Sequence, residues 1–367
     1  MIMTSPLFKP FQCRGLSLPN RIVMAPMTRS FSPDGIPTAE VAAYYERRAA
    51  ADVGLILTEG VNTDRPASGN DPKVPMFYGD KALTAWGNVV SKVHNAGGKI
   101  APQLWHVGMM RKPGTGHNPE AVSDGPSGIT HTGKAVQPAA TDEEISDMIA
   151  SYARSAKSAK ELGFDALEIH GAHGYLIDQF FWDIMNVRED KYGGGLTQRA
   201  TFAADVIKAV RKAVGEDMPI ILRYSQWKQQ DFTAKLAQTP QELEAFLSVF
   251  DDAGLDMLHC SQRRFWEPEF EGSDLNLAGW SKKLTGLPTI SVGSVGLTGE
   301  FVAALGGENS DVAPLDKLIE RMERDEFDLI AVGRALLQDH EWVSKIKEGR
   351  FDELKSYDAS TALLTLN

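Results

Sequence analysis

The chain has 367 residues, of which 43% are hydrophobic and 24% charged, so it contains ample material for a globular core. Its formal net charge of −11 argues against nucleic acid or an anionic membrane surface as the main partner. The only cysteines are Cys13 and Cys260. A disulfide framework, an iron–sulfur centre and a cysteine-type zinc site are therefore not expected.

The opening residues, Met1 to Pro6, lack the basic and apolar regions of a signal peptide, and no apolar run is long enough to span a bilayer. These features predict a soluble, cytoplasmic protein without a membrane partner. The sequence leaves open whether it is a monomer or a small homo-oligomer. The length would allow two domains, but α/β barrels of this size commonly form one. We therefore expect residues 1–367 to form a single domain.

A short hairpin or cap is predicted in the residues through Leu18, where Gly15 separates apolar residues. Eight short apolar runs follow, and they are typical of strands that are buried on both faces. These runs cover residues 22–25, 53–60, 99–106, 164–169, 219–225, 255–261, 287–294 and 327–334.

Helical patterns lie between most of these runs, at residues 38–51, 81–96, 141–162, 197–214, 239–254, 315–323 and 335–347. Thr38 is a candidate N-cap, and Thr141 with Glu144 forms a candidate capping box. Alternating strands and helices of this number predict a (β/α)8 TIM barrel. The alternative is a doubly wound open sheet, which usually has an early G-x-G-x-x-G motif that the first strand here lacks.

Residues 107–140, between the third strand and its helix, form a long excursion rich in Gly, Pro, Thr and His. In a barrel this segment leaves the carboxyl-terminal face, where active sites lie. We therefore expect it to form a lid over a pocket, although a loose insertion would have the same composition.

Chemistry is most strongly indicated where the fourth apolar run ends. His170, His173 and Tyr175 follow that run within a glycine-rich stretch that we interpret as a loop. Two imidazoles can donate hydrogen bonds, and a phenol can deliver a proton. The histidines could instead bind a metal ion, but neither a carboxylate nor a third histidine accompanies them in this turn, so no metal site is predicted.

The last two strands end in glycine-rich sequences that are suited to a phosphate. Gly293 and Ser294 follow strand seven, and Gly333 and Arg334 follow strand eight. Barrels often bind phosphate at these two loops, where glycine lets backbone N–H groups approach and arginine adds charge.

The chain resembles the old yellow enzyme family of FMN-dependent ene-reductases, from Leu7 to about Lys347. The matching motifs, in chain order, are Asn20-Arg21-Ile22-Val23-Met24-Ala25-Pro26-Met27-Thr28-Arg29, Thr58-Glu59-Gly60, Gln103-Leu104-Trp105-His106, His170-Gly171-Ala172-His173-Gly174-Tyr175-Leu176, Arg188-x-Asp190-x-Tyr192-Gly193-Gly194, Arg223-x-Ser225 and Val332-Gly333-Arg334.

The resemblance implies that FMN binds at the carboxyl-terminal mouth of the barrel. It implies ring contacts from Pro26, Met27, Thr28 and Gly60, hydrogen bonds to the pyrimidine part from Gln103 and Arg223, and a phosphate site at Gly293, Ser294, Gly333 and Arg334.

The resemblance also implies a ping-pong reaction in which NADPH or NADH reduces the flavin and a small activated alkene then reoxidises it. His170 and His173 would hold the alkene's carbonyl oxygen, Tyr175 would donate the proton, and Trp105 would help to line the substrate site.

The chain departs from the usual family pattern at Trp182, in the continuation of the Tyr-Gly-Gly segment, and at Gln226-Trp227-Lys228. Trp227 either shapes the substrate pocket or packs beneath a loop. Two further hypotheses remain open. One is a non-flavin TIM-barrel lyase or isomerase acting on a phosphorylated substrate, and the other is a non-catalytic flavin or ligand binder.

Overall fold

The computed structural model describes residues 6–300, 303–304 and 306–367. The first five residues, on which most of the signal-peptide prediction depends, lie outside this part. Strands β1 (Phe11–Cys13) and β2 (Leu16–Leu18) form the predicted antiparallel hairpin. The hairpin packs with the inward-facing side chains at the lower end of the barrel, for example Val23 and Leu55.

Eight further strands form a closed parallel barrel, in which the last strand pairs with the first of the ring. This confirms the predicted TIM-barrel fold. The strands are β3 (Ile22–Met24), β4 (Leu55–Asn62), β5 (Ile100–Trp105), β6 (Leu167–His173), β7 (Ile220–Lys228), β8 (Met257–Ser261), β9 (Thr289–Val292) and β10 (Leu329–Val332).

Helices cover the outside of the barrel and bury their apolar faces against the strands. They are α1 (Ala39–Ala50), α2 (Asp80–Asn95), α3 (Asp142–Glu161), α4 (Leu176–Phe181), α5 (Leu196–Arg199), α6 (Thr201–Val214), α7 (Pro240–Ser248), α8 (Leu277–Thr285), α9 (Asp316–Glu323), α10 (Arg334–Gln338), α11 (Trp342–Glu348) and α12 (Ala359–Ala362).

The helix caps follow the sequence signals. The Thr38 hydroxyl accepts the Val41 N–H, and Thr141 and Glu144 form the predicted capping box. These contacts satisfy amide groups that have no partner within the first helical turn. No helix in the described part of the chain is both long enough and apolar enough to cross a membrane.

Several predicted boundaries were wrong. Strand β6 does not stop at Ile169 but continues through His173, because its pairing with β7 extends to Lys228 after an irregularity near Gly171. Both histidines therefore lie in the strand and not in a loop.

Helix α7 ends at Ser248 and not at Gly254. The residues that follow form tight turns, in which backbone N–H groups donate to the carbonyl three residues earlier and not four. The helix predicted at 335–347 is divided where Asp339 adopts an extended backbone. The helix predicted at 197–214 is interrupted at Ala200, and α8, which begins at the N-cap Asn276, was not predicted at all.

The excursion at 107–140 contains a single helical turn, Gly108–Met110, and little other regular structure. Asp124 fixes this segment to the barrel. Its carboxylate contacts His106 Nε2 at 2.8 Å and accepts a hydrogen bond from the Arg65 guanidinium. These partners lower the pKa of Asp124 to about 2 despite burial, which opposes them, so the anchor is charged at neutral pH.

Candidate active site

A cavity of about 390 Å³ opens at the carboxyl-terminal end of the barrel, within the usual size range of small-molecule sites. Nearly all residues that the sequence indicated for the site line it. They are Pro26, Met27, Thr28, Gln103, Trp105, His170, His173, Tyr175, Arg223, Gly293, Ser294, Gly333 and Arg334.

Gly60 is the exception, because it is not part of the cavity wall. A Cβ atom at Gly60 would lie 2.7 Å from the indole of Trp105. The glycine therefore makes room for Trp105, and Trp105 in turn lines the cavity. Contact between Gly60 and a flavin stays a prediction.

His170 is a neutral hydrogen-bond donor. Burial, followed by repulsion from Arg223, lowers the pKa of His170 well below its ordinary value. The Ala172 N–H donates to His170 Nδ1 over 3.3 Å, so the imidazole hydrogen belongs on Nε2.

His173 is held from several sides. Its backbone N–H donates to the Ser225 hydroxyl at 3.0 Å, and its Nε2 contacts the Ser261 hydroxyl at 2.7 Å. Its φ of +65° is rare for a non-glycine residue, and such strain is common at functional sites. Burial and then Arg223 lower the pKa of His173 well below its ordinary value, so this imidazole is neutral too.

Tyr175 completes an aromatic corner of the cavity. Its ring centroid lies 5.0 Å from those of His170 and Trp105, with edge-to-face packing in both pairs. Its hydroxyl donates to Gln229 Oε1 over 3.4 Å. Burial raises the pKa of Tyr175, so the phenol keeps its proton at neutral pH.

Arg223 provides a buried positive charge in the cavity wall. Its Nη2 donates to the Ser261 hydroxyl at 3.3 Å, whereas its Nε has no hydrogen-bond partner within the described residues. A buried donor without a partner is costly, and a ligand oxygen or nitrogen acceptor would remove that cost. The wall therefore fits a polar ring that carries hydrogen-bond acceptors, such as the pyrimidine part of a flavin.

The opposite end of the cavity has the geometry of an anion site. Gly293 has a φ of +137°, and a Cβ there would lie 2.7 Å from the Gln262 carbonyl oxygen. Ser294 also has a positive φ, of 52°. Arg334 donates to the Gly299 carbonyl at 2.6 Å, which fixes a positive charge beside these backbone turns. This arrangement fits the phosphate of FMN.

Other residues that line the cavity were not assigned from the sequence. Trp227, whose role the sequence left open, packs against His173 with ring centroids 4.7 Å apart and an interplanar angle of 30°. Its indole N–H donates to the Ser261 carbonyl at 3.2 Å, so the ring is fixed at both ends. Gln229 and Tyr357 also line the wall, and no sequence motif marked either residue.

Glu59 lies just behind the cavity-lining segment at residues 26–28. Its carboxylate accepts the backbone N–H groups of Arg29 and Ser30 at 2.8 and 3.1 Å. Burial raises the pKa of Glu59 from its usual 4.5 to about 7, although those two donors favour the charged form.

This raised pKa predicts a pH-dependent stability. Between pH 4.5 and 7 the unfolded chain has lost this proton while the folded chain keeps it, so the free energy of unfolding should fall by about 3 kcal/mol. Glu59→Gln keeps an acceptor for both N–H groups and should remove this dependence of the free energy of unfolding on pH. Urea denaturation of both proteins at pH 5 and pH 8 measures the change. An equal change in the wild type and in Glu59→Gln would contradict the prediction.

Across the described residues, no group of three or more His, Cys, Asp or Glu side chains is arranged to hold a metal ion. His170 and His173 face each other edge to face, with ring centroids 5.1 Å apart.

Comparison with known proteins identifies the family. The sequence model of the NADH:flavin oxidoreductase / NADH oxidase family matches residues 6–353. An NADH oxidase of Thermoanaerobacter brockii is 34% identical, over 95% of this chain and 52% of that protein. The chain thus spans about half the length of that relative. The flavin oxidoreductase hxnT of Emericella nidulans is 33% identical, over 97% of this chain and 93% of that protein.

A solved structure supports the same relationship. Morphinone reductase in complex with tetrahydroNAD superposes with a TM-score of 0.78 and 27% identity, covering 97% of this chain and 93% of that one. The chain therefore belongs to the NADH:flavin oxidoreductase / NADH oxidase family, the FMN-dependent group of the old yellow enzymes.

Proposed function

We propose that the protein is an ene-reductase, which uses FMN and NADPH or NADH to reduce the C=C bond of α,β-unsaturated carbonyl or nitro compounds in a ping-pong cycle. The observation that carries this proposal is the meeting of two neutral histidines and a protonated tyrosine on one wall of the cavity.

The residues proposed to hold FMN divide into a ring-binding and a phosphate-binding set. When bound, FMN supplies the hydride chemistry that protein side chains lack. Its ring would contact Pro26, Met27, Thr28, Gly60, Gln103 and Arg223. Its phosphate would be held by Gly293, Ser294, Gly333 and Arg334.

His170 and His173 bind and activate the substrate. Each neutral imidazole carries one N–H, and donation to the carbonyl or nitro oxygen draws electron density away from the double bond. The same donors become more favourable as negative charge develops on that oxygen, which is how an oxyanion hole stabilises a transition state. Both rings are buried, so water competes little for these hydrogen bonds.

Tyr175 delivers the proton to the α-carbon. Its hydroxyl lies on the same wall as His170, and Gln229 orients it from the other side. Trp105 closes the substrate site next to Tyr175, so that an enone would lie among Trp105, His170, His173 and Tyr175.

We also propose that residues 107–140 act as a lid within a single domain covering residues 1–367. The start of the segment is near the chemistry, because Met110 and Tyr175 both pack against the cluster formed by Val74, Trp105 and Val107. Motion of the lid would therefore reach the ring that donates the proton.

A non-flavin lyase or isomerase is less well supported. Such barrels often use a lysine as base or Schiff-base former, and no lysine lines the cavity among the described residues. Nothing in the cavity favours that chemistry over flavin binding.

Absorbance spectroscopy tests the proposed function. The purified protein, reconstituted with FMN if needed, should show a flavin spectrum that bleaches when NADPH or NADH is added without oxygen. Adding 2-cyclohexenone should then restore the spectrum with formation of cyclohexanone. Bleaching that only air reverses would contradict the ene-reductase proposal, and failure to bind FMN would also remove its basis.

A further inference from the structure

A buried polar network lies directly behind the cavity. Glu168 precedes His170 by two residues on β6 and therefore points to the same interior face of the barrel. One carboxylate oxygen accepts from Gln103 Nε2 at 2.7 Å, and the other contacts His259 Nδ1 at 2.6 Å. Glu168 and His259 are fully buried, and neither lines the cavity itself.

The donors and acceptors of this network can be assigned from chemistry. Burial lowers the pKa of His259, so its ring is neutral and its Nδ1 hydrogen points to Glu168. An ionised carboxylate can only accept, so Gln103 must turn its NH₂ group to Glu168. Gln103 then presents its oxygen to the cavity, where it can accept from a ring N–H such as the one in the pyrimidine part of a flavin.

The network also places opposite charges close to the cofactor site. The carboxylate of Glu168 interacts favourably with the Arg223 guanidinium, which lies in the cavity wall and is largely buried. Because both groups are buried, their charges are weakly screened. The negative charge of Glu168 therefore reduces the positive potential that Arg223 produces in the cavity.

We propose that Glu168 is a positioning residue that fixes the orientation of Gln103 and, through its charge, holds down the reduction potential of bound FMN. This inference rests on the FMN site proposed above. According to this proposal, a residue outside the cavity sets how readily the flavin accepts hydride from the nicotinamide and passes it to the alkene. Removal of the negative charge of Glu168 would favour reduction of the flavin and disfavour its reoxidation.

Three substitutions at this position separate charge from shape. Glu168→Gln and Glu168→Met both remove the charge at similar side-chain volume. If one of them fails to fold, the potential can still be measured in the other. Glu168→Asp keeps the charge but shortens the side chain. The potential is measured by slow anaerobic photoreduction of the FMN-bound protein against a reference dye.

Both neutral variants should favour the reduced flavin at least about tenfold, which for two electrons is a rise of about 30 mV. Glu168→Asp should stay within about twofold of the wild type. Unchanged potentials in a neutral variant that binds FMN would overturn the proposal, and so would equal shifts in all three variants.

This experiment uses neither nicotinamide nor alkene, so its result is separable from that of the proposed function. A wild-type protein that binds FMN but fails to reduce 2-cyclohexenone would contradict the ene-reductase proposal, and the predicted shift in potential would still test Glu168. Gln103→Leu gives a second readout, because loss of the oriented amide should weaken FMN binding measured by flavin fluorescence. Undiminished affinity would contradict the assigned orientation of Gln103.

Discussion

Replacement of Tyr175 by phenylalanine is expected to slow alkene reduction by about two to four orders of magnitude, the usual contribution of a positioned general acid. The ring would remain and keep its packing against His170 and Trp105, so the cavity should retain its shape. Only the hydroxyl group is lost, and with it the proton that it would donate and its hydrogen bond to Gln229. Burial raises the pKa of Tyr175, so in the wild type this proton is present across the neutral range.

Stopped-flow measurement of the two half-reactions tests this prediction. Reduction of the flavin by NADPH or NADH should change by less than about threefold in Tyr175→Phe, because no proton from the phenol is needed there. The rate of flavin reoxidation by 2-cyclohexenone should fall by the full amount, about two to four orders of magnitude. Tyr192→Phe is a matched control, since this buried tyrosine donates to Asp205 at 3.0 Å outside the cavity. Equal reoxidation rates in wild type and Tyr175→Phe would assign the proton to another donor.

Replacement of Lys228 by methionine should destabilise the protein by about 3–5 kcal/mol. Lys228 and Asp178 form an ion pair in which both side chains are almost fully buried. Removal of one partner leaves an uncompensated buried charge, which costs much more than the intact pair contributes. The other Asp178 oxygen accepts the Gly174 N–H at 2.7 Å, so the same change should loosen the turn that precedes Tyr175.

Denaturant unfolding of a double-mutant cycle measures this effect. Asp178→Asn removes the second charge and keeps an oxygen for the Gly174 N–H. The double variant Lys228→Met with Asp178→Asn should therefore recover a large part of the lost stability. A loss below about 1 kcal/mol in Lys228→Met would show that the pair is not a buried charge couple.

Much of the fold could be predicted from the sequence because each barrel strand is buried on both faces and reads as a short apolar run. The same topology predicted the site, since the carboxyl ends of parallel strands meet at one face. Thr28, His170 and Arg334 come from distant parts of the sequence and still share one cavity.

The sequence could not supply contacts that depend on strand register. Glu168 has no hydrogen-bond partner at any informative spacing in the sequence, because His259 reaches it from β8, two strands away in the ring. The position of Trp227 over His173 depends on the irregular pairing of β6 and β7 near Gly171, which no local pattern marks. The end of helix α7 was missed for a different reason. The tight turns after Ser248 continue the helical pattern of the sequence, so no residue marks where the helix stops.

The closed ring also has a consequence for synthesis of the protein. The cavity needs the carboxyl ends of β3 and β10 side by side, and these strands pair only after Val332 has been made. A nascent chain carrying the first strands has part of the wall proposed to bind the flavin ring, lacks the residues proposed to bind the phosphate and has an unpaired edge on β3. We expect FMN to bind only after β10 has been made and has paired with β3, and incomplete chains to depend on chaperones that cover the open edge.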